Sequence, residues 1–318
     1  MTQCSKQTIN LKQILTYKNM KIKSITVTLL APMNDHAANR GEKLLGNASS
    51  IKRRPDGRVY ISGQMQRHVL FSAIERINED DPAGEGTYVA NGDGTSTNIE
   101  RDLRSDLGGY LDTNKDDYSG RRTAPVSATP AVAVETSEIG RDLLVRLKMN
   151  EDRDSGRKQA LATNEFSQHD LMNMSFHLDV SAVGVTKLFE YGGNEAHLST
   201  SYEDHLAERP NERRRRVELF LEGTRSMTDY ANQARNATTG EPQKVLIVLD
   251  TKMSRKASRY FTSSSDIEKE RILAELKNRN AVYFIGDDTD ALALSVDEAY
   301  QQASEALSKC ELYNPANS

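Results

Sequence analysis

Three groups of residues in this chain of 318 amino acids are candidates for chemistry, and all three are defined by charge. The first is basic. Between Arg40 and Arg76 there are eight Lys or Arg (40, 43, 52, 53, 54, 58, 67, 76) and three acids (42, 56, 75), in a chain whose formal charge is −4. A local cationic excess inside an acidic whole marks a place to meet an anion, because a binding field follows the distribution of charge and not its sum. The second is Asp35, set between Asn34 and His36 at the head of that basic stretch. A lone carboxylate beside bound phosphates could hold a metal for RNA cleavage. The plainer reading is a loop aspartate accepting backbone hydrogen bonds. The third is Arg213 to Arg216, four cations at the start of an expected helix, where each opposes the macrodipole by about 0.3–1 kcal/mol before screening. Two readings stay open there: a solvated run offset by Glu212, Glu218 and Glu222, or a contact for an anionic partner.

Other chemistries find less support. His169 and His177, like His197 and His205, are eight apart, unlike the short spacings of zinc ligands. No GxSxG, GxxxxGKT or GxGxxG occurs, so neither a nucleophile elbow nor a phosphate cradle has local support. Cys4 and Cys310 stand at opposite ends without a CxxC pair, which argues against a disulfide framework and a thiolate metal site. Asp287, Asp288 and Asp290 suit turn positions and a helix N-terminus. No cofactor is expected.

The elements that must position these residues can be placed from periodicity. Ile25, Val27 and Leu29 alternate with Ser24, Thr26 and Thr28, as in a strand buried on one face. Ser62 is a plausible N-cap for a helix whose stripe is Met65, Val69, Ala73 and Ile77, with Gln64, Arg67, His68 and Glu75 on the wetter side. The loop between them, Ala31 to Gly57, is far longer than a connection needs, a length that marks a functional or a disordered segment. Glu79 to Asp117 holds eleven acids against three bases and is rich in Gly, Asp and Asn, the character of an insertion with a solvated acidic face. The spacing of a calcium loop is absent from it.

Further on, Val126, Val132 and Val134 mark a strand that Pro130 confines to an edge or bulge. Asp142 to Met149 reads as a strand, and Glu151 to Gln159 as the polar tip of a hairpin. Met172, Met174, Phe176, Leu178 and Val180 alternate with Asn173, Ser175, His177 and Asp179, which predicts one core face and one polar, open face. A helix is expected over Asn211 to Gln233, a central strand over Val245 to Leu249, and helices over Ser265 to Lys277 and Val296 to Cys310 around a short strand at Val282 to Ile285. The order strand, helix, strand, strand, helix, strand predicts an α+β, ferredoxin-like (split βαβ) plan with long insertions. No apolar run is long enough to span a bilayer, and the segment MTQCSKQTINLKQ lacks the apolar core of a signal peptide, so a cytoplasmic protein with no membrane partner is expected.

Several short motifs occur in a telling order: Asn39-Arg40-Gly41-Glu42, then Ile61-Ser62-Gly63-Gln64, Ala124 to Pro130 (APVSATP), Phe166-Ser167-Gln168, Leu178-Asp179-Val180 before Val183-Gly184, and Ala231-Asn232-Gln233-Ala234-Arg235. Together they resemble the backbone subunit of the type I CRISPR Cascade surveillance complex, in the DevR branch of the RAMP superfamily, over most of Ile22 to Asp250. The resemblance implies a ferredoxin-like, RNA-recognition-motif-like palm over residues 21–318. It also implies a finger insertion at 79–122, a thumb hairpin at 138–169 and a C-terminal helical elaboration at 251–318, after an N-terminal extension at 1–20. It implies RNA contacts by Asn39, Arg40, Lys43, Lys52, Arg53 and Arg54, by Gln64 and Arg67 on the first helix, and by Asn232, Gln233 and Arg235. The aromatic signature of the common base-stacking sheet is missing, so clamping of the backbone is the expected mode.

The partners so implied are CRISPR RNA, target DNA through guide pairing, copies of the chain head to tail, and other Cascade subunits. An acidic finger that stacks on the basic palm of a neighbour suits such a filament. Two other classes remain: a metal-dependent endoribonuclease subunit using Asp35, and an α+β module for a small molecule or protein unrelated to nucleic acid.

Overall fold

The computed structural model describes residues 20–38, 40–43, 49–91, 96–111, 121–148, 158–192, 195–231 and 237–317. In chain order the elements that matter are β1 (Ser24–His36), β2 (Arg40–Lys43), β3 (Ser49–Ile51), α1 (Gly63–Asp80), α2 (Leu103–Gly108), β4 (Val126–Ala128), β5 (Ala131–Ala133), β6 (Ile139–Lys148) and β7 (Lys158–Asp179). They are followed by β8 (Val185–Gly192), β9 (Glu195–Asp204), α3 (Pro210–Arg225), β10 (Lys244–Asp250), α4 (Asp266–Asn278), β11 (Val282–Asp287) and α5 (Val296–Lys309).

The fold is α+β. Across the main sheet the order is β11, β10, β1, β7, then β4 and β5, and every neighbouring pair is antiparallel. The strand pattern of β10 shows why two layers can cover this sheet. Val245, Ile247 and Leu249 join one apolar core with α1, α3 and α5, while Leu246 and Val248 join a second with Ala257, Ile272, Leu276 and Ala281. Three helices therefore lie on one face, and residues of the 251–281 segment, α4 included, cover part of the other.

That cover corrects two expectations. Ser24, Thr26 and Thr28 of β1 are fully or almost fully buried, so β1 is enclosed on both faces and not on one. Asn173, Ser175 and His177 of β7, expected on an open face, are buried too. Burial of such groups is tolerable only where they find partners. Ser24 Oγ donates to the Lys252 carbonyl at 2.6 Å, Thr26 Oγ1 meets His177 Nδ1 at 2.9 Å, and Thr28 Oγ1 donates to the Met174 carbonyl at 3.4 Å.

Helix α1 begins as the sequence suggests, with Ser62 Oγ accepting from the Met65 N–H at 3.2 Å. It buries Gln66, Val69, Leu70, Ala73 and Ile74, the i, i+3, i+4, i+7, i+8 stripe of a helix on a core. It stops at Asp81, which is extended ahead of Pro82. Gly63 is needed at its start: a Cβ there would lie 2.9 Å from the Ala128 carbonyl. Helix α5 carries a complete capping box between Ser295 and Glu298. Helix α3 is shorter than expected, ending at Arg225 and not at Gln233.

The long loop is also not a loop throughout. β1 continues to His36, and β2 pairs with β3 to form a ribbon whose Ser49 sits beside Asn164 of β7. β6 and β7 form the long hairpin expected over 138–169, paired from Ile139↔Ser167 to Lys148↔Lys158, and the expected tip falls mostly outside the described residues. A second ribbon, β8 with β9, has no counterpart in the sequence reading. Gly192-Gly193-Asn194 was the turn signal that could have found it. Among the described residues no helix is long and apolar enough to cross a membrane.

Candidate nucleic-acid interface

The basic residues of the sequence separate into two populations: some remain on the surface and others serve the fold. Lys52 and Arg53 are exposed and Arg54 is partly so. They form one arm of a tight turn in which Arg53 bridges Val59, the Arg54 N–H donates to the Arg58 carbonyl at 2.9 Å, and Gly57 takes a φ of 83° that favours glycine. The turn is held to the sheet by Tyr60, which pairs with Val132 of β5, and by the Val59 N–H donating to Ser137 Oγ at 3.1 Å. Asp56 pairs with Arg58 at 2.6 Å, and that hydrogen bond keeps its carboxyl below the usual range. Arg40 and Lys43 lie on β2, paired with Ile51 and Ser49 respectively, so β2 runs beside β3, whose last residue precedes Lys52. Asn39 lies outside the described residues.

Gln64 is exposed in the first turn of α1, which carries no acid. The positive end of the helix dipole and its free N–H groups favour an anion there. Arg67 differs from its expected place. Its Nη2 donates to the Gly108 carbonyl at 2.5 Å, its Nε is buried without a partner among the described residues, and burial lowers the affinity of the guanidinium for its proton. It ties α1 to the inserted segment after Asp81 rather than standing free. Arg76 is likewise engaged, donating to the Ser226 carbonyl at 2.9 Å and Thr228 Oγ1 at 3.0 Å and pairing with Asp229.

Asn232, Gln233 and Arg235 fall outside the described residues, but the stems of their segment are well anchored. Tyr230 is buried, and its hydroxyl donates to Gln66 Oε1 of α1 at 3.1 Å. The Gly240 N–H donates to the Met227 carbonyl at 2.7 Å, and Thr238 Oγ1 to the Asn34 carbonyl at 3.4 Å. The last contact places the segment after α3 beside the end of β1, where the basic ribbon begins. Asp35 stands at that end with a φ of 47°, exposed, between Asn34, which bonds His169, and His36. His36 Nε2 meets Asp170 Oδ2 at 2.6 Å, both groups buried. Burial acts to raise the Asp170 carboxyl, but hydrogen bonds from His36, Ser137 and Ser167 outweigh it and leave it below its usual range. No group of three His, Cys, Asp or Glu suited to a metal occurs among the described residues.

Arg213 to Arg216 are each engaged by groups of the fold. Arg216 reaches Asp106 Oδ2 at 2.6 Å, Glu212 Oε1 at 2.8 Å and the Ile99 and Glu100 carbonyls. Arg215 holds Glu212, Asn78 and Thr87, and Arg213 holds Asp204. Arg214 donates to the Leu307 and Cys310 carbonyls at 2.6 and 2.8 Å, satisfying the open end of α5. Desolvation pushes the Glu212 carboxyl up, yet the bonds from Arg215 and Arg216 bring it below its usual range. The expectation of a uniformly solvated acidic insertion is corrected by the same contacts. Asp102 and Asp106 are buried, and Asp106 also pairs with Arg122 and accepts the Gly184 N–H at 2.9 Å.

A four-stranded antiparallel centre backed by three helices, with the β2–β3 ribbon at one end and an arginine-locked insertion at the side, defines an α+β protein. The sequence matches the model of the CRISPR-associated negative auto-regulator DevR/Csa2 family over residues 27–253, and the chain belongs to that family. Its fold is similar to a chain of a solved CRISPR RNA-guided surveillance complex, with TM-score 0.55 and 13% identity, covering 89% of this chain and 99% of that one. A chain of such a complex in a pre-nicking state gives TM-score 0.56 at 12% identity with the same coverage. None of the curated protein sequences compared with the chain matches it.

Proposed function

We propose that this protein is a non-catalytic backbone subunit of a CRISPR RNA-guided surveillance complex, which lines up head to tail along the guide RNA and presents it for pairing with target DNA. In this reading the sheet order β10, β1, β7, β4/β5 with α1 and α3 on one face is a ferredoxin-like palm. Residues 79–122 form the finger, 138–169 the thumb hairpin, and 251–318 an elaboration that closes the second face of the sheet. Guide RNA, other subunits of the complex and further copies of the chain are its partners.

The observation that carries the proposal is the convergence at the end of β1. There the ribbon from Arg40 to Arg54 and the segment following α3 come together, with the acid-free start of α1 as a further anion-favouring element. Phosphates bound along that ribbon and the start of α1 would be clamped without base-specific contacts, leaving sequence to guide pairing. Mass measurement of the purified chain with and without a guide-length RNA tests it. A monomer or weak associate alone that becomes a multimer of defined length on RNA is the expected result. A closed dimer of the same mass in both conditions rejects it.

One observation favours a second reading. The left-handed backbone of Asp35, unusual for a non-glycine residue, directs attention to an exposed carboxylate beside the proposed RNA track. A metal-dependent ribonuclease would use it.

A further inference from the structure

Strand β10 ends on two exposed features of opposite charge. At its start, the turn between β11 and α5 closes over Lys244: the Asp288 N–H donates to the Gln243 carbonyl at 3.0 Å, and Asp287 pairs with Lys244 at 2.8 Å. At the tip of that turn Leu292 is 96% exposed, more than any other large apolar side chain among the described residues. Ala291 and Ala293 beside it are exposed as well, and so are Asp288, Asp290 and, two residues before Gln243, Glu241. None of these three acids has a cation within ion-pair distance among the described residues.

A single exposed leucine is ordinary, but this one is held outward by a fixed backbone. The Asp287 carboxylate accepts from the Thr289 N–H at 2.9 Å, that of Asp290 from the Leu292 N–H at 2.9 Å, and that of Asp288 from the Val296 N–H at 2.8 Å. The Asp287 N–H donates in turn to the Leu294 carbonyl at 2.8 Å. A tip ordered in advance costs little to order on binding. At the far end of β10, after Asp250, comes a second loop, anchored where the Lys252 carbonyl accepts from Ser24 Oγ. Lys252, Met253 and Arg255 are exposed there, Met253 to 45%, and neither cation has a carboxylate within ion-pair distance among the described residues. The length of the strand, about 20 Å at its rise per residue, separates the two features.

We propose that the two features are the halves of one contact between copies of this chain. The tip of one copy seats Leu292 on Met253 of the next, with Asp290 and Glu241 facing Lys252 and Arg255. The inference rests on the head-to-tail reading above and adds which surfaces meet. Unlike patches at opposite ends of one strand cannot satisfy each other within a chain, and between chains they repeat in one direction without having to close. Methionine is an adaptable seat for a branched apolar side chain. The charges set orientation and oppose the reversed contacts, tip on tip or loop on loop, more than they add affinity. A nucleic acid on Lys252 and Arg255 would account for the cations but leave Leu292 and the acids at the other end without a role.

The experiment places a cysteine at each end, Leu292→Cys and Met253→Cys, in the full chain carrying Cys4→Ser; Cys310, which is buried, stays in place. Within one copy the two positions are too far apart for a disulfide, which needs Cα atoms about 4.4–6.8 Å apart, so any bond joins two copies. On guide-length RNA under mild oxidation the double variant should give a ladder of covalent multimers. An equal mixture of the single variants should give covalent dimers, and each single variant alone should give neither. Leu292→Ser should weaken association between copies about tenfold. Lys252→Glu with Arg255→Glu should weaken it about threefold, with binding of a hexanucleotide too short to bridge two copies unchanged. Dimers from one single variant alone overturn the proposal, as does lost hexanucleotide binding in the Lys252/Arg255 variant, which would make that loop a nucleic-acid contact. A multimer on RNA without a ladder rejects this contact and leaves the backbone role standing. A ladder that forms equally without RNA supports the contact and counts against that role, and absence of both multimer and ladder rejects the two together.

Discussion

Arg216 and Asp106 form an ion pair sealed from solvent, Nη1 to Oδ2 at 2.6 Å, with both side chains 0% exposed. The two residues are 110 positions apart, one on α3 and one on α2 of the insertion. Asp106 is shared further with Arg122 and with the Gly184 N–H, so one carboxylate joins the insertion, α3 and the start of β8. Such a pair contributes little relative to an apolar core of equal volume, but breaking it on one side leaves a buried charge.

Arg216→Ala should therefore destabilise the protein by about 3–5 kcal/mol. Arg216→Lys should recover only part of this, because a single ammonium cannot reach Asp106, Glu212 and two carbonyls together. Denaturant unfolding monitored by circular dichroism checks both. A loss below about 1 kcal/mol for the alanine variant would show that the network is replaceable by water.

The exposed and the inward-turned cations should behave differently. Lys52→Ala and Arg53→Ala should each lower the slope of log affinity for RNA against log salt by about one unit, equally for all sequences, with unfolding unchanged. Arg67→Ala, which removes the bond to the Gly108 carbonyl, should appear mainly as lost stability, about 1–3 kcal/mol. Equal salt slopes for wild type and the Lys52/Arg53 double variant would remove this turn from the RNA track.

His177 supplies a pH dependence. Burial first, and the nearby Arg255 second, lower its pKa from 6.5 to about 4. The unfolded chain then binds a proton that the folded one refuses. The neutral imidazole's contribution is fully present above about pH 6.5, declines as the pH falls, and is gone below about pH 4, a change of roughly 3 kcal/mol. His177→Gln should flatten that part of the stability curve. Parallel curves for the two proteins between pH 7 and pH 4 would contradict the assignment.

Asp35 separates the two functional readings. With guide RNA and magnesium present, a complementary RNA should remain intact, and Asp35→Ala should leave assembly on the guide unchanged. Cleavage that disappears in the variant would favour the ribonuclease and displace the non-catalytic reading.

Much of this molecule is written in local pattern. The alternation of residues 24–29 and 172–180, the unbroken apolar run 245–249, the Ser62 cap and the stripe from Met65 to Ile77 are each decided by neighbours one to four positions away. Such elements can be read directly from the sequence, and so can the basic run from Arg40 to Arg76 and the order of short motifs that pointed to the DevR family. What each charge does is another matter. Arg53 stays exposed and Arg216 is sealed, yet both sit in runs of arginine that look alike along the chain. The difference is made by carboxylates brought from far away, Asp106 to Arg216 and Asp204 to Arg213, because a buried charge is tolerable only where the fold delivers its partner. The polar side chains of β1 and β7 likewise read as a wet face, and only the return of residues 251–281 over the sheet turned them into an interior. The sequence by itself determined the principal strands and helices and the family, but not the ribbons β2–β3 and β8–β9. The tertiary structure decided which cations remain available to an anion, since availability is a property of the surface left over after packing.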